Sequence, residues 1–138
     1  MSIKNACIKG HVGLLDWWKA SGLEMVYTSL DMDLASGCGR VAVLDWWKAS
    51  GLELRYTSYS MDLSGHRPEL VDLNWWKASG LELRYTEAAM DAATGKGYVD
   101  VLEWWKNSGL EIRYLARGIN DASRKGHVAV THVTTAST

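Results

Sequence analysis

The sequence predicts an all-α protein, a solenoid of stacked helix-turn-helix repeats joined by short connectors, and three observations carry that prediction. Trp17-Trp18, Trp46-Trp47, Trp75-Trp76 and Trp104-Trp105 recur every 29 residues and use all eight tryptophans. A fixed period of roughly 20 to 50 residues marks an array whose units bury their apolar faces against one another. Upstream of each pair, apolar residues fall at helical spacing; downstream, a Ser-Gly-Leu sequence closes the helix each time.

The repeats divide the chain into a partial unit, 1–27, three full units, 28–56, 57–85 and 86–114, and a degenerate partial unit, 115–138. Thr28, Thr57 and Thr86 stand where each first helix begins, and threonine is a good N-cap. Asp31, three residues after Thr28, puts an acidic group at the positive end of that helix. The first helices vary: Leu30-Asp31-Met32-Asp33-Leu34-Ala35 becomes Tyr59-Ser60-Met61-Asp62-Leu63-Ser64, then Ala88-Ala89-Met90-Asp91-Ala92-Ala93. The methionine and a small residue three places later persist, as a buried edge requires.

The second helix is more uniform. Val41, Val43, Leu44, Trp46 and Trp47 form its apolar face, and Lys48-Ala49-Ser50-Gly51 writes its end with a cation and a glycine. A Schellman ending with Gly51 at C′ would rest Leu52 on Trp47; the same count sets Leu23 on Trp18, Leu81 on Trp76 and Leu110 on Trp105. The first Trp of each pair lies about 100° further round the helix, so both rings are buried only if the helix has neighbours on two sides. Leu52-Glu53-Leu54-Arg55-Tyr56-Thr57 alternates apolar with polar, which predicts an extended exit with Leu, Leu and Tyr turned inward.

Composition bounds the function. At 138 residues and 47% hydrophobic, the chain suits one ordinary domain. Fifteen basic and sixteen acidic side chains leave a net charge of -1, with no basic stripe for phosphates, which argues against nucleic acid. The N-terminal residues lack a signal peptide's apolar core, and no run approaches the roughly 18 apolar residues of a membrane span. A soluble, intracellular monomer is expected, cytoplasmic or nuclear, with Cys7 and Cys38 as free thiols.

The run Gly97-Tyr98-Val99-Asp100-Val101-Leu102-Glu103-Trp104-Trp105-Lys106-Asn107-Ser108-Gly109-Leu110-Glu111-Ile112 resembles the second-helix stretch of the ankyrin repeat nearly position for position, and Gly10-His11 and Gly126-His127 keep its Gly-His pair. The resemblance covers essentially the whole chain. It implies stacked helix pairs whose first helices line a concave, partner-facing side. Two departures qualify it. The Thr-Pro-Leu-His motif is replaced by segments such as Ala88-Ala89-Met90-Asp91, and the period falls about four residues short of the family's, where β-hairpin fingers would project. A leucine-rich repeat is the rival fold, though Gly51-Leu52-Glu53-Leu54-Arg55-Tyr56 supplies only a fragment of its motif.

Two places break the pattern. In the 57–85 repeat, Asp72 stands where Leu14, Val43, Val101 and Val130 stand elsewhere, and Gly65-His66-Arg67-Pro68 arrives early with the only proline, a residue suited to a helix's first turn. Asp72 either reaches solvent or a neighbouring turn through a local shift, or marks a weak joint. At 115–138, Val133 and Thr134 replace the Trp pair, which suggests imperfect ends or a slice of a longer array.

Nothing in the pattern points to catalysis, a metal or a cofactor. His11, His66, His127 and His132 are not spaced three or four residues from one another or from a Cys, as a helix-borne metal site requires. The Ser-Gly pairs read as helix ends, and Glu53, Glu82 and Glu111 beside Arg55, Arg84 and Arg113 read as solvated columns of opposite charge. The Trp pairs are either core or exposed aromatics for a sugar or apolar partner. Asp45 to Thr57 differs from Asn74 to Thr86 at one position of thirteen, whereas the first helices differ widely. The expected function is a non-catalytic protein-interaction scaffold whose concave face includes Asp31, Asp33, Tyr59, Asp62, Ala88 and Asp91, with a recurrent acidic row for a basic or polar peptide. Drift at unconstrained positions would give the same variability. The alternative function is a structural spacer within a longer array.

Overall fold

In a computed structural model, residues 3–112 are described. They form eight α-helices and, among the described residues, no strand. The helices are α1 Ile3–Lys9, α2 Val12–Ala20, α3 Ser29–Gly37, α4 Val41–Ala49, α5 Tyr59–Asp62, α6 Val71–Ser79, α7 Ala88–Lys96 and α8 Val99–Asn107, with a 3-10 turn, Leu63–His66, continuing α5. A leucine-rich repeat needs a strand per unit, and the described residues hold none. The expectations for the 115–138 segment, including His127, His132, Val133 and Thr134, lie outside the described residues.

Each first helix packs on the next one, α1 on α3, α3 on α5 and the 3-10 turn on α7; the second helices do likewise, α2 on α4 and α4 on α6. Residues 29 apart therefore occupy equivalent environments. Leu15, Leu44, Leu73 and Leu102 fill one core column, Met32, Met61 and Met90 another, and Trp47, Trp76 and Trp105 a third, all fully buried. The exit segments alternate as expected, with Leu52, Leu54 and Tyr56 turned in and Glu53 and Arg55 out.

The helix endings correct the sequence reading. The Schellman pattern belongs to the first helix: Arg40 N–H donates to Ala35 O at 2.9 Å and Gly39 N–H to Ser36 O at 2.9 Å, with Gly39 at φ +70°. The second helix closes through its serine instead. Ser50 Oγ donates to Trp47 O at 2.7 Å and accepts from Leu52 N–H at 3.1 Å, so the hydroxyl takes the place of the expected main-chain bond. Ser21, Ser79 and Ser108 repeat this bridge.

Pro68 explains the short α5. It holds the position of Gly10, Gly39 and Gly97, all at positive φ, and a proline ring fixes φ near −65° and carries no N–H. The Schellman ending is unavailable, the helix tightens to 3-10, and Arg67, preceding proline, is extended at φ −131°, ψ 143°. Pro68 is thus a loop residue; α6 begins three residues later.

Candidate binding surface

Binding on this molecule depends on which recurrent side chains are left over once the stack is made. The acidic row is not left over. Asp33 is 1% exposed: its Oδ1 accepts from Thr57 N–H at 2.8 Å and from Ser60 Oγ at 2.6 Å, and its Oδ2 from Thr57 Oγ1 at 2.6 Å. Asp62 repeats the arrangement on Thr86, at 2.8 Å from its N–H and 2.7 Å from its hydroxyl. The threonine caps its own helix, accepting from the N–H two residues on, while the aspartate of the preceding repeat caps the threonine.

Asp31 does a related job alone. Lys4 stands where an aspartate of the partial repeat would be, so Thr28 has no carboxylate from that side, and Asp31 Oδ2 accepts its N–H at 2.6 Å in a capping box. Burial pushes the Asp31 carboxyl above its ordinary pKa, opposed first by the Thr28 amide and then by Lys4. The expectation of a solvent-facing acidic row is therefore corrected for Asp31, Asp33 and Asp62, which lie buried within the stack. Asp91 is half-buried and engaged.

Tyr59 and Ala88 are exposed, Tyr59 by 54%. Leu30, one repeat earlier in the same register, is 42% exposed. Leu30, Tyr59 and Ala88 form an apolar-to-aromatic column at the starts of α3, α5 and α7.

The Trp pairs divide as expected, with one exception. In each pair the rings meet edge to face, at 4.9 to 6.0 Å between centroids. The second ring of α4, α6 and α8 is core and carries the tyrosine of the preceding repeat: Tyr27 on Trp47, Tyr56 on Trp76 and Tyr85 on Trp105, at 4.7 to 4.8 Å. The first ring reaches back one repeat. Trp46 Nε1 donates to Asp16 Oδ1, Trp75 Nε1 to Asp45 Oδ1 and Trp104 Nε1 to Asn74 Oδ1, at 2.7, 2.7 and 2.8 Å. Among the described residues Trp17 has no such neighbour, and it is 58% exposed, against 8% for Trp46.

The Glu-Arg columns are less simple than opposite charges in solvent. Glu82 and Arg84 pair at 3.1 Å, both exposed, while Arg84 also lies 4.7 Å over the Tyr56 ring and donates to Tyr56 O. Arg55 does the same on Tyr27. Tyr27, Tyr56 and Tyr85 hydroxyls in turn donate to Glu53, Glu82 and Glu111 carbonyls, so the exit segments are laced together.

The 57–85 repeat interrupts these ladders. Trp76 Nε1 donates to Ser36 Oγ, 40 residues before it; at the same offset from Trp47 stands Cys7, whose pKa burial pushes up to about 11, and the buried Trp47 Nε1 forms no hydrogen bond among the described residues. For Trp105 that position is Gly65, and its buried Nε1 has no acceptor. A Cβ on Gly65 would stand 2.5 Å from Ala89 O, so no serine fits there. Asp72, in the same repeat, is 0% exposed and both carboxylate oxygens lack a hydrogen bond. Burial raises its pKa to about 6 despite the nearby backbone amides of Asp72 and Leu73 and the charge of Arg67. Of the two readings of Asp72, the excursion to solvent is excluded.

Among the described residues no group of three His, Cys, Asp or Glu side chains is placed to hold a metal ion, and no helix is long and apolar enough to cross a membrane. Cys7 is buried and Cys38 exposed, and both are free. An open groove between α6 and α8 is lined by Leu70, Lys77, Asp100, Glu103, Trp104 and Asn107.

No known family, curated protein or solved structure matches this chain.

Proposed function

We propose that the chain is an ankyrin-like solenoid acting as a non-catalytic scaffold for a protein or peptide partner, bound across the exposed starts of the first helices. The observation that supports this reading most is the column Leu30, Tyr59, Ala88. These positions share one environment, are exposed, and differ in every repeat, whereas buried equivalents such as Leu15, Leu44, Leu73 and Leu102 are constant. Side chains that build the stack repeat because their surroundings repeat; those facing a partner follow the partner. An exposed tyrosine flanked by leucine and alanine favours an apolar or aromatic peptide anchor, tyrosine being a common interface hot spot. With Asp33 and Asp62 enclosed, a basic peptide loses its counter-charge on this face.

The spacer reading has its own support, because three of the six residues assigned to the partner are occupied in holding the stack. Affinity capture from the native cytosol separates the two. The scaffold reading expects a discrete partner retained by the wild-type chain and lost from a Leu30→Ala, Tyr59→Ala double variant with an unchanged thermal midpoint. Equal capture by both chains, or no capture by either, would leave the spacer.

A further inference from the structure

We propose that the first-helix face takes an acidic peptide segment, whose apolar anchor meets Leu30 and Tyr59 and whose carboxylates meet a row of cations at the helix ends. The inference rests on the reading of Leu30, Tyr59 and Ala88 as a partner surface, and adds the partner's charge. Residues four and eight places apart share one side of a helix. In α3 these are Leu30, Leu34 and Cys38, in α7 Ala88, Ala92 and Lys96, and the 57–85 repeat holds Tyr59, Leu63 and Arg67 in the same register. Each of these helices has an exposed start, a half-buried apolar middle and an end near which a cation stands.

That end is positive in every described repeat. Lys9, Arg67 and Lys96 share one register position, and where Cys38 interrupts them Arg40 stands two residues on. Three of the four reach the turn of the preceding repeat. Arg40 Nε donates to Ile8 O at 2.8 Å, Lys96 Nζ donates to His66 O at 3.3 Å, and a Cβ on Gly39 would stand 2.2 Å from Arg67 Nη1. These contacts fix where the cations stand without neutralising them. Glu69 offsets Arg67 at 3.6 Å, whereas Lys9, Arg40 and Lys96 are exposed and form no ion pair among the described residues. The aspartates of the same helices give no balance, because Asp31, Asp33 and Asp62 are buried in the stack; Glu87 is exposed, but at the opposite end of α7. A face whose acids are consumed by the fold and whose bases are not is complementary to an acidic partner. Spacing adds a constraint. Packed helices lie about 8 to 10 Å apart, and in an extended polyproline-type chain every third residue returns to one side after about 9 Å. Carboxylates three residues apart thus meet successive repeats.

Fluorescence anisotropy of the full chain with labelled synthetic peptides tests this. One peptide carries glutamate at every third residue and a central tryptophan, its counterpart carries lysine for each glutamate, and a single-stranded oligonucleotide serves as the competing polyanion. The glutamate peptide is expected to bind most tightly, and to weaken as salt rises from about 0.01 M to about 0.15 M and the Debye length shrinks from about 30 Å to about 8 Å. The double variant Lys9→Glu, Lys96→Glu lowers its affinity by about tenfold, the scale of a few exposed charge contacts. Lys9→Glu alone, at a side chain that makes no hydrogen bond among the described residues, gives a smaller loss in the same direction with an unchanged circular dichroism melt. Leu30→Ala with Tyr59→Ala separates this inference from the reading beneath it. If those alanines abolish binding but the lysine peptide binds as tightly as the glutamate peptide, the column stands and the charge assignment is overturned. If glutamate binding survives the alanines yet falls with the lysine variants, the column reading fails and takes the proposal with it. No binding of the glutamate peptide, or a preference for the oligonucleotide, overturns it as well.

Discussion

Asp72 sets the sharpest conflict between one side chain and its surroundings. Its counterparts Val43 and Val101 are fully buried and apolar; Asp72 is equally buried, with no hydrogen bond to either oxygen. Its pKa is raised from 3.8 to about 6 by loss of water. The folded state therefore holds the proton more tightly than the unfolded one. The carboxyl opposes folding least below its unfolded pKa, and stability falls as pH rises through about 6, by about 3 kcal/mol at neutrality. Asp72→Val is expected to raise the thermal midpoint at neutral pH, with the gain shrinking as pH falls from about 6 to below the unfolded value of 3.8, where the carboxyl is protonated in both states. Melts across that range check it: a gain independent of pH would mean that the carboxyl titrates alike in the folded and unfolded chains, and no gain would mean that its burial costs nothing. The substitution was legible in sequence, because aligning the Trp pairs exposes Asp72 at an apolar position. Its fate was not, since whether a chain bends to wet a carboxylate depends on the freedom left by Pro68 and the packing of Leu73. The orphaned Trp105 N–H was hidden for a similar reason: its missing acceptor is Gly65, 40 residues away, and periodicity alone does not show which positions meet across a junction.

At the scale of the element, each inner helix start is completed by the unit before it. Thr57 and Thr86 as caps were legible, because threonine before a helical run has a local meaning. The carboxylates that hold them, Asp33 and Asp62, resemble a surface row in sequence because they recur on the variable first helices, and which side of a helix meets its neighbour is not written in the period. The distinguishing signal was Lys4 with Asp31: where the preceding aspartate is missing, the helix brings its own, and Ser60 and Ala89 replace Asp31 where it is present. Removing Asp62 as Asp62→Ala leaves the Thr86 N–H and hydroxyl without their acceptor, at a cost of about 1 to 2 kcal/mol. The damage is expected in α7, not in α5 where the residue resides. Hydrogen exchange should quicken at Ala88 to Met90, and protection there equal to wild type would remove the cap from the account.

For the whole molecule, 29-residue periodicity foretold the succession of helix pairs and the division of the three Trp pairs after the first. It could not foretell that equal sequence positions differ in exposure along the described residues. Trp17 is the clearest case, identical in sequence to Trp46 yet bare. Collisional quenching by acrylamide is expected to reach one tryptophan far more readily than the rest. Trp17→Phe should abolish that fraction and shift the remaining emission to the blue; an unchanged quenching curve would mean that the ring is covered. The threonine caps carry a last consequence, for the order in which the protein is made. Asp33 precedes Thr57 and Asp62 precedes Thr86 along the chain, so on the ribosome every inner helix emerges to find its capping oxygen already synthesised. No inner unit waits for a residue still to come before it can begin, and the array can be laid down one storey at a time as it is translated.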